Sequence, residues 1–250
     1  MIVKSYPKIN LYLKIIGLSK DSKTSGFSLL ESKFFLVENG ICDFIEIKES
    51  NNDLIKGDFN CKLESNTIFK ALNALRKIRD FPKLSIEVEK HIPFGAGLGG
   101  GSSNAGVLIN TLDSMFDLNL SEKEKTSVSL KVGADVAFFA YGFKSAFVSG
   151  IGEVIKTCLD STNLNFEIFT PSLHCDTKVV YDEFKKCNTF SKSGVFDNLN
   201  DIELLDKHKS ELNDLFLPAT RIYKELDSIS ENLGESWKFS GSGSSFFRKI

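Results

Sequence analysis

The chain has 250 residues, 42% of them hydrophobic, enough to bury the core of one large domain or two moderate ones and too many for disorder to be the expected state. Its 31 basic and 33 acidic side chains leave a formal net charge of -2, which removes the electrostatic reason to expect nucleic acid or an anionic membrane as partner. Cysteines without a CxxC pair and isolated histidines give neither a zinc site nor a disulfide framework, and neither a signal-peptide pattern nor a run of about 20 apolar residues is found, so a cytoplasmic protein is expected.

From the N-terminus, Ile9, Leu11, Leu13 and Ile15 alternate with Lys8, Asn10, Tyr12 and Lys14, which predicts a strand with Lys8 and Asn10 on the face away from the apolar stripe. Alternation predicts further strands over 44–48 and 84–88, with a helix over about 67–78 between them. The glycine-rich segment 93–105 follows. Then Ala105, Leu108, Ile109, Leu112, Met115 and Phe116 recur at helical spacing. Ser121 with Glu124 forms a capping-box pattern for the next helix, and Gly133 suits a left-handed position at its end, just before Asp135. Gly150, Gly152 and the polar stretch 160–163 mark the expected domain boundary. Beyond it the pattern predicts a strand over 166–169, helices over 179–186 and 219–233, and a terminal glycine-serine stretch, 240–245.

Glycines at 95, 97, 99, 100 and 101, then Ser102 and Ser103, then an amphipathic helix, form an arrangement suited to phosphate. Glycine lets backbone amides approach an anion unobstructed, and a helix N-terminus adds unsatisfied N–H groups and a favourable dipole. The serines supply hydroxyls, one of them in position to serve as N-cap. The plainer alternative is a flexible glycine linker before a capped helix. Neither a GxxxxGKS/T phosphate loop nor a dinucleotide fingerprint is present. Asp135 taken alone is equally suited to capping a short helix over 136–140.

The segment from Pro93 through Gly95, Gly97, Leu98, Gly99, Gly100, Gly101, Ser102, Ser103 and Asn104 to Ala105 resembles the ATP loop of the GHMP kinases, the superfamily that includes galactokinase, homoserine kinase and mevalonate kinase. Segments 6–13, 133–139, 146–153 and 240–246 are similar, in order, to motifs of the branch acting on a cytidine-diphosphate-linked methylerythritol in the non-mevalonate route to isoprenoid precursors. The resemblance implies an α+β, two-domain fold. An N-terminal ribosomal-protein-like α/β domain (1–157) binds ATP, a ferredoxin-like α+β domain (158–250) follows, and ATP and substrate lie in the cleft between them. It assigns Asp135 as catalytic base, with Lys8 beside it orienting and polarising the acceptor hydroxyl. It places Asn66 and Lys90 near the adenine, and Asn10, Phe27, Ser28, Thr170, Pro171, His174, Gly241, Ser242 and Gly243 at the acceptor substrate. Mg2+ is expected with ATP, held by phosphate oxygens and water with few protein ligands. Physical chemistry agrees with these roles, because phosphoryl transfer asks the protein chiefly for in-line positioning and charge stabilisation.

The sequence departs from that branch where Ser25-Gly26-Phe27-Ser28 stands in place of Asp-Gly-Tyr-His. Phe27 retains the ability to stack on a pyrimidine, whereas Ser28 lacks the hydrogen bonding of an imidazole. His174 takes the place of an aromatic after Thr170-Pro171. Many relatives continue through a further helix past the position of Ile250, so C-terminal packing is expected to differ, not chemistry. Asn213-Asp214 matches a family pair with an expected structural role. The alternatives left open are another GHMP small-molecule kinase of mevalonate or homoserine type, and a non-catalytic nucleotide-binding relative. An RNA-binding role is disfavoured by the near-neutral charge. Monomer and homodimer are both compatible with the sequence.

Overall fold

A computed structural model describes residues 1–22, 24–158, 164–187 and 189–250, so the polar stretch 160–163 lies outside the described residues. In chain order the strands are β1 (Ile2–Ser5), β2 (Lys8–Leu18), β3 (Ser28–Leu36), β4 (Asp43–Glu49), β5 (Leu54–Gly57), β6 (Leu84–Glu89), β7 (Ser145–Gly150), β8 (Val154–Thr157), β9 (Phe166–Phe169), β10 (Lys238–Phe239) and β11 (Phe246–Lys249). The helices are α1 (Thr67–Arg76), α2 (Gly100–Met115), α3 (Glu122–Val132), α4 (Val136–Ala140), α5 (Thr177–Cys187), α6 (Asp201–Leu205), α7 (Lys209–Leu212), α8 (Phe216–Ile222) and α9 (Glu225–Leu233). Among the described residues no helix is long and apolar enough to cross a membrane.

The chain divides into two compact units built from interleaved segments. One takes Met1–Pro7, Ile41–Phe94 and Gly99–Phe143; the other takes Lys8–Gly40, Gly95–Leu98 and Lys144–Ile250. The glycine-rich segment therefore contributes to both.

In the first unit a four-stranded sheet of order β1-β4-β6-β5 is antiparallel except for the β5/β6 pair. That parallel pair requires a crossover, which α1 supplies. Ile68, Ala71, Leu72 and Leu75 fall on one stripe of α1 and are buried against Ile45, Ile47, Leu84 and Ile86 of the sheet. Helix α2 adds Ala105, Leu108, Ile109 and Leu112 to the same core, as its periodicity predicts. Burying each of its larger side chains contributes about 1.5–3 kcal/mol before entropy is counted. The α3 capping box is present as expected, with Ser121 Oγ accepting from Glu124 N and the Glu124 carboxylate accepting from Ser121 N (3.0 Å). Gly133 does end this helix, but its φ of 176° is extended, not left-handed.

The second unit contains an antiparallel sheet of order β2-β3-β7-β8 and a smaller antiparallel sheet of order β10-β11-β9. Leu13 and Ile15 of β2 share a core with Val180 and Phe184 of α5, Leu215 outside α8, Phe216 and Ala219 within it, and Phe239 and Phe246. The alternation expected along β2 holds only in part. Asn10 is registered with Phe34 but Tyr12 with Lys33, so a β-bulge at Leu11 turns Lys8 and Asn10 to one face and Tyr12 and Lys14 to the other. The single helix expected over 219–233 is two, α8 and α9, broken at Tyr223, whose φ of -108° and ψ of 87° are not helical.

Candidate active site

The head of α2 is the most phosphate-suited feature of the first unit. Gly99 is its N-cap with φ of 69° and ψ of 22°, a left-handed conformation that favours glycine, and no side chain caps the helix. The expected serine cap is thus not made, because Ser102 and Ser103 lie within the first turn. Ser103 Oγ instead donates to Tyr6 O (2.6 Å) and meets Ser5 Oγ (2.7 Å). With Ser103 N already bonded to Gly99 O (2.8 Å), helix geometry leaves the N–H groups of Gly100, Gly101 and Ser102 without intrahelical partners. Three amides and the helix dipole converge where an anion is stabilised.

Beside them lies a cavity of about 150 Å³ lined by Phe59, Asn66, Thr67, Lys90, Phe94 and Gly101, among others. Asn66 caps α1 by accepting from Ile68 N (2.8 Å) and Phe69 N (3.3 Å), and Thr67 Oγ1 donates to Gly101 O (2.6 Å), tying this cavity to the first turn of α2. Lys90 forms an ion pair with buried Asp43, donates to Asn104 Oδ1 (2.9 Å) and lies 5.4 Å from the Phe94 ring centre. Sequence patterns had not singled out Phe59, Phe94 or Asp43. Only Phe94, next to Pro93, carried a local signal.

Asp135 belongs to the same unit. It sits in a tight turn closed by Val136 N donating to Gly133 O (3.2 Å), and a Cβ on Gly133 would lie 3.9 Å from Ser102 Oγ, so the turn abuts the head of α2. The half-buried Asp135 side chain makes no capping bond to α4. Gly106 lets α2 and α4 meet closely, since a Cβ there would lie 2.4 Å from Phe139 Cβ.

In the second unit Lys8 and Asn10 are brought together as expected. Lys8 Nζ donates to Asn10 Oδ1 (2.6 Å) and lies 4.3 Å from the Phe34 ring centre, while Asn10 Nδ2 donates to Ser32 Oγ (2.8 Å). Lys8 N donates to Leu98 O (3.0 Å), which fixes the lysine at the end of segment 95–98. That segment interlocks with the terminal glycine-serine loop. Ser245 N donates to Ala96 O (3.1 Å), Ser240 Oγ donates to Gly97 O (3.1 Å), and a Cβ on Gly97 (φ of 74°) would stand 2.2 Å from Ser240 O. Within the loop Gly243 N bonds Ser240 O, and Ser242 Oγ meets Thr177 Oγ1 (2.9 Å). A Cβ on Gly241 would touch Gly97 O at 3.0 Å and Asn10 Oδ1 at 3.5 Å. Exposed His174 lies over Gly95, and Thr170 Oγ1 meets Ser245 Oγ (2.7 Å) beside half-buried Pro171.

Phe27 and Ser28 are not brought to Lys8. Lys8 is registered with Leu36 and Leu18 with Ser28, so they sit at opposite ends of the β2/β3 hairpin. Phe27 is 59% exposed, whereas the buried Ser28 hydroxyl has no hydrogen-bond partner. Asn213 and Asp214 have the structural role expected of them. Asn213 Nδ2 donates to Phe239 O and Gly241 O, and Asp214 pairs with Lys14 and accepts from Ile15 N.

The comparisons give the class, that of the GHMP small-molecule kinases: a model of the GHMP kinases N terminal domain matches residues 66–143. The chain is 40% identical to the 4-diphosphocytidyl-2-C-methyl-D-erythritol kinase of Helicobacter pylori (strain J99), over 99% of this chain and 93% of that protein. It is 37% identical to the protein of the same name from Campylobacter jejuni subsp. jejuni (strain 81-176), over 98% and 99% respectively. A crystal structure of 4-(cytidine 5'-diphospho)-2C-methyl-D-erythritol kinase matches it with a TM-score of 0.78 at 26% identity, covering 100% of this chain and 90% of that one. The chain belongs to the 4-diphosphocytidyl-2-C-methyl-D-erythritol kinase family.

Proposed function

We propose that the chain transfers the γ-phosphoryl group of ATP to the 2-hydroxyl of 4-(cytidine 5'-diphospho)-2-C-methyl-D-erythritol, releasing ADP and the 2-phosphate, in the non-mevalonate route to isoprenoid precursors. The observation that carries this reading is the uncapped head of α2, with free amides at Gly100, Gly101 and Ser102, in a chain 40% identical to a kinase of that name. The cavity beside it, flanked by Phe59 and Phe94, suits the adenosine part of ATP. The family resemblance assigns the glycine segment to the phosphates, and residues 241–243, Thr170, Pro171 and His174 to the acceptor. Phe27 and Ser28 face its cytidine end.

In this reading Asp135 accepts the proton of the 2-hydroxyl as the new O–P bond forms, and Lys8, fixed by Asn10, orients that oxygen and offsets charge developing on it. The O–P bond to ADP breaks as the electron pair passes to the β-phosphate oxygen. Mg2+ bound with ATP would supply charge neutralisation on the phosphates. A coupled ADP-release assay tests the assignment with the cytidine-linked acceptor beside mevalonate, homoserine and galactose. Turnover of the cytidine-linked compound alone is expected. Turnover of one of the other three in its place would refute it.

A further inference from the structure

Asp43 opens β4 at 0% exposure, and both of its carboxylate oxygens are engaged. Oδ1 accepts from His91 N (2.7 Å) and Ile92 N (2.8 Å), the residues just before Pro93. Oδ2 accepts from Asn104 Nδ2 (2.8 Å), in the second turn of α2, and from the Lys90 ammonium. Asn104 closes the figure, since its Oδ1 accepts from Lys90 Nζ (2.9 Å) and its Nδ2 also donates to Ser5 Oγ (2.9 Å) of β1. The strand end that leads into the glycine segment and the helix that leaves it are thus bound to one carboxylate. A charge this deeply buried is tolerated only because it is paired and hydrogen-bonded, and removing one partner leaves the other uncompensated.

The proposed phosphoryl transfer makes no use of Asp43. We infer that Asp43 is a positioning residue for the ATP seat: by holding His91, Ile92, Lys90 and Asn104 together it sets where the free amides of Gly100, Gly101 and Ser102 point. Its hold on Lys90 also places that ammonium at the cavity wall with its charge already matched. The inference rests on reading the head of α2 as the nucleotide seat.

The test uses the full chain, with ATP affinity measured by direct titration with a fluorescent ATP analogue and the two Michaelis constants measured separately. Asp43→Asn keeps the shape and an acceptor for the two backbone amides while removing the charge. It is expected to weaken ATP affinity by about 10-fold or more, while the KM for the acceptor moves by less than about 2-fold. A double variant, Asp43→Asn with Asn104→Asp, returns a carboxylate to Lys90 from the other side and is expected to recover most of the loss. Unchanged ATP affinity in a folded Asp43→Asn, equal losses for ATP and acceptor, or a double variant no better than the single one would overturn the inference. If the single variant does not fold, the double variant decides alone. An affinity within about 3-fold of wild type supports the role, and a loss beyond about 10-fold contradicts it. A wild-type chain that binds ATP yet phosphorylates no cytidine-linked acceptor counts against the proposed reaction and leaves the Asp43 titration interpretable.

Discussion

Asp135 stands at the head of α4 without capping it. With Asp135 as the base of the proposed reaction, Asp135→Ala is expected to lower kcat by about 100-fold or more while ATP affinity changes little, since a base acts mainly in the transition state. Comparable losses in both would contradict that role. Cys175 makes the opposite case. Burial pushes its thiol up to about 12, so it stays protonated and inert near neutral pH, while Cys61 and Cys187 are exposed. Iodoacetamide labelling of the native chain followed by mass spectrometry is expected to modify Cys61 and Cys187 and spare Cys175; equal labelling of all three would contradict the burial. Placements that depend on local pattern were legible in the sequence, as with Lys8 and Asn10 sharing a strand face. Asp43 was not, because a carboxylate at the start of an alternating strand carries no sign that segments 48 and 61 positions away will close on it.

At the scale of elements, the α3 cap gives a prediction whose sign is fixed. The Ser121 amide and hydroxyl, then Arg79, hold the Glu124 carboxyl at about 2, below its unfolded value. Its contribution is present above the unfolded pKa and is lost as pH falls through the range down to about 2. Glu124→Gln is expected to lower Tm near neutral pH, by an amount that shrinks steadily as pH falls below about 4.5. A Tm difference independent of pH would contradict this. Gly97→Ala is expected to destabilise the chain by at least about 1–3 kcal/mol in denaturant unfolding, because the added Cβ meets Ser240 O at 2.2 Å in a left-handed backbone. Helices α1, α2 and α3 were readable from periodicity and capping residues, since those signals lie within a few residues. The bulge at Leu11 and the break at Tyr223 were not: the bulge depends on pairing with β3, and the Tyr223 hydroxyl accepts from Asp176 N, 47 positions away. The Gly99 cap was missed because serines three and four residues on carried the stronger local signal.

At the scale of the molecule, motifs scattered from Tyr6 to Phe246 made the family legible, while the interleaving of the two compact units was not, since it depends on long-range strand pairing such as β3 with β7. The glycine segment is where this matters most, with 95–98 held by the terminal loop and 99–101 at the head of α2. A donor seat alone does not define an enzyme. In the proposed reaction the phosphoryl group passes to the acceptor's tertiary 2-hydroxyl, and phosphorus NMR of the reaction mixture reads that product directly. Wild type with ATP, Mg2+ and the cytidine-linked acceptor is expected to give one new phosphomonoester on the 2-oxygen, with the diphosphate bridge intact and ADP in equal amount. Asp135→Asn should bind ATP and give none. A phosphate at another hydroxyl, or equal product from Asp135→Asn, would contradict it.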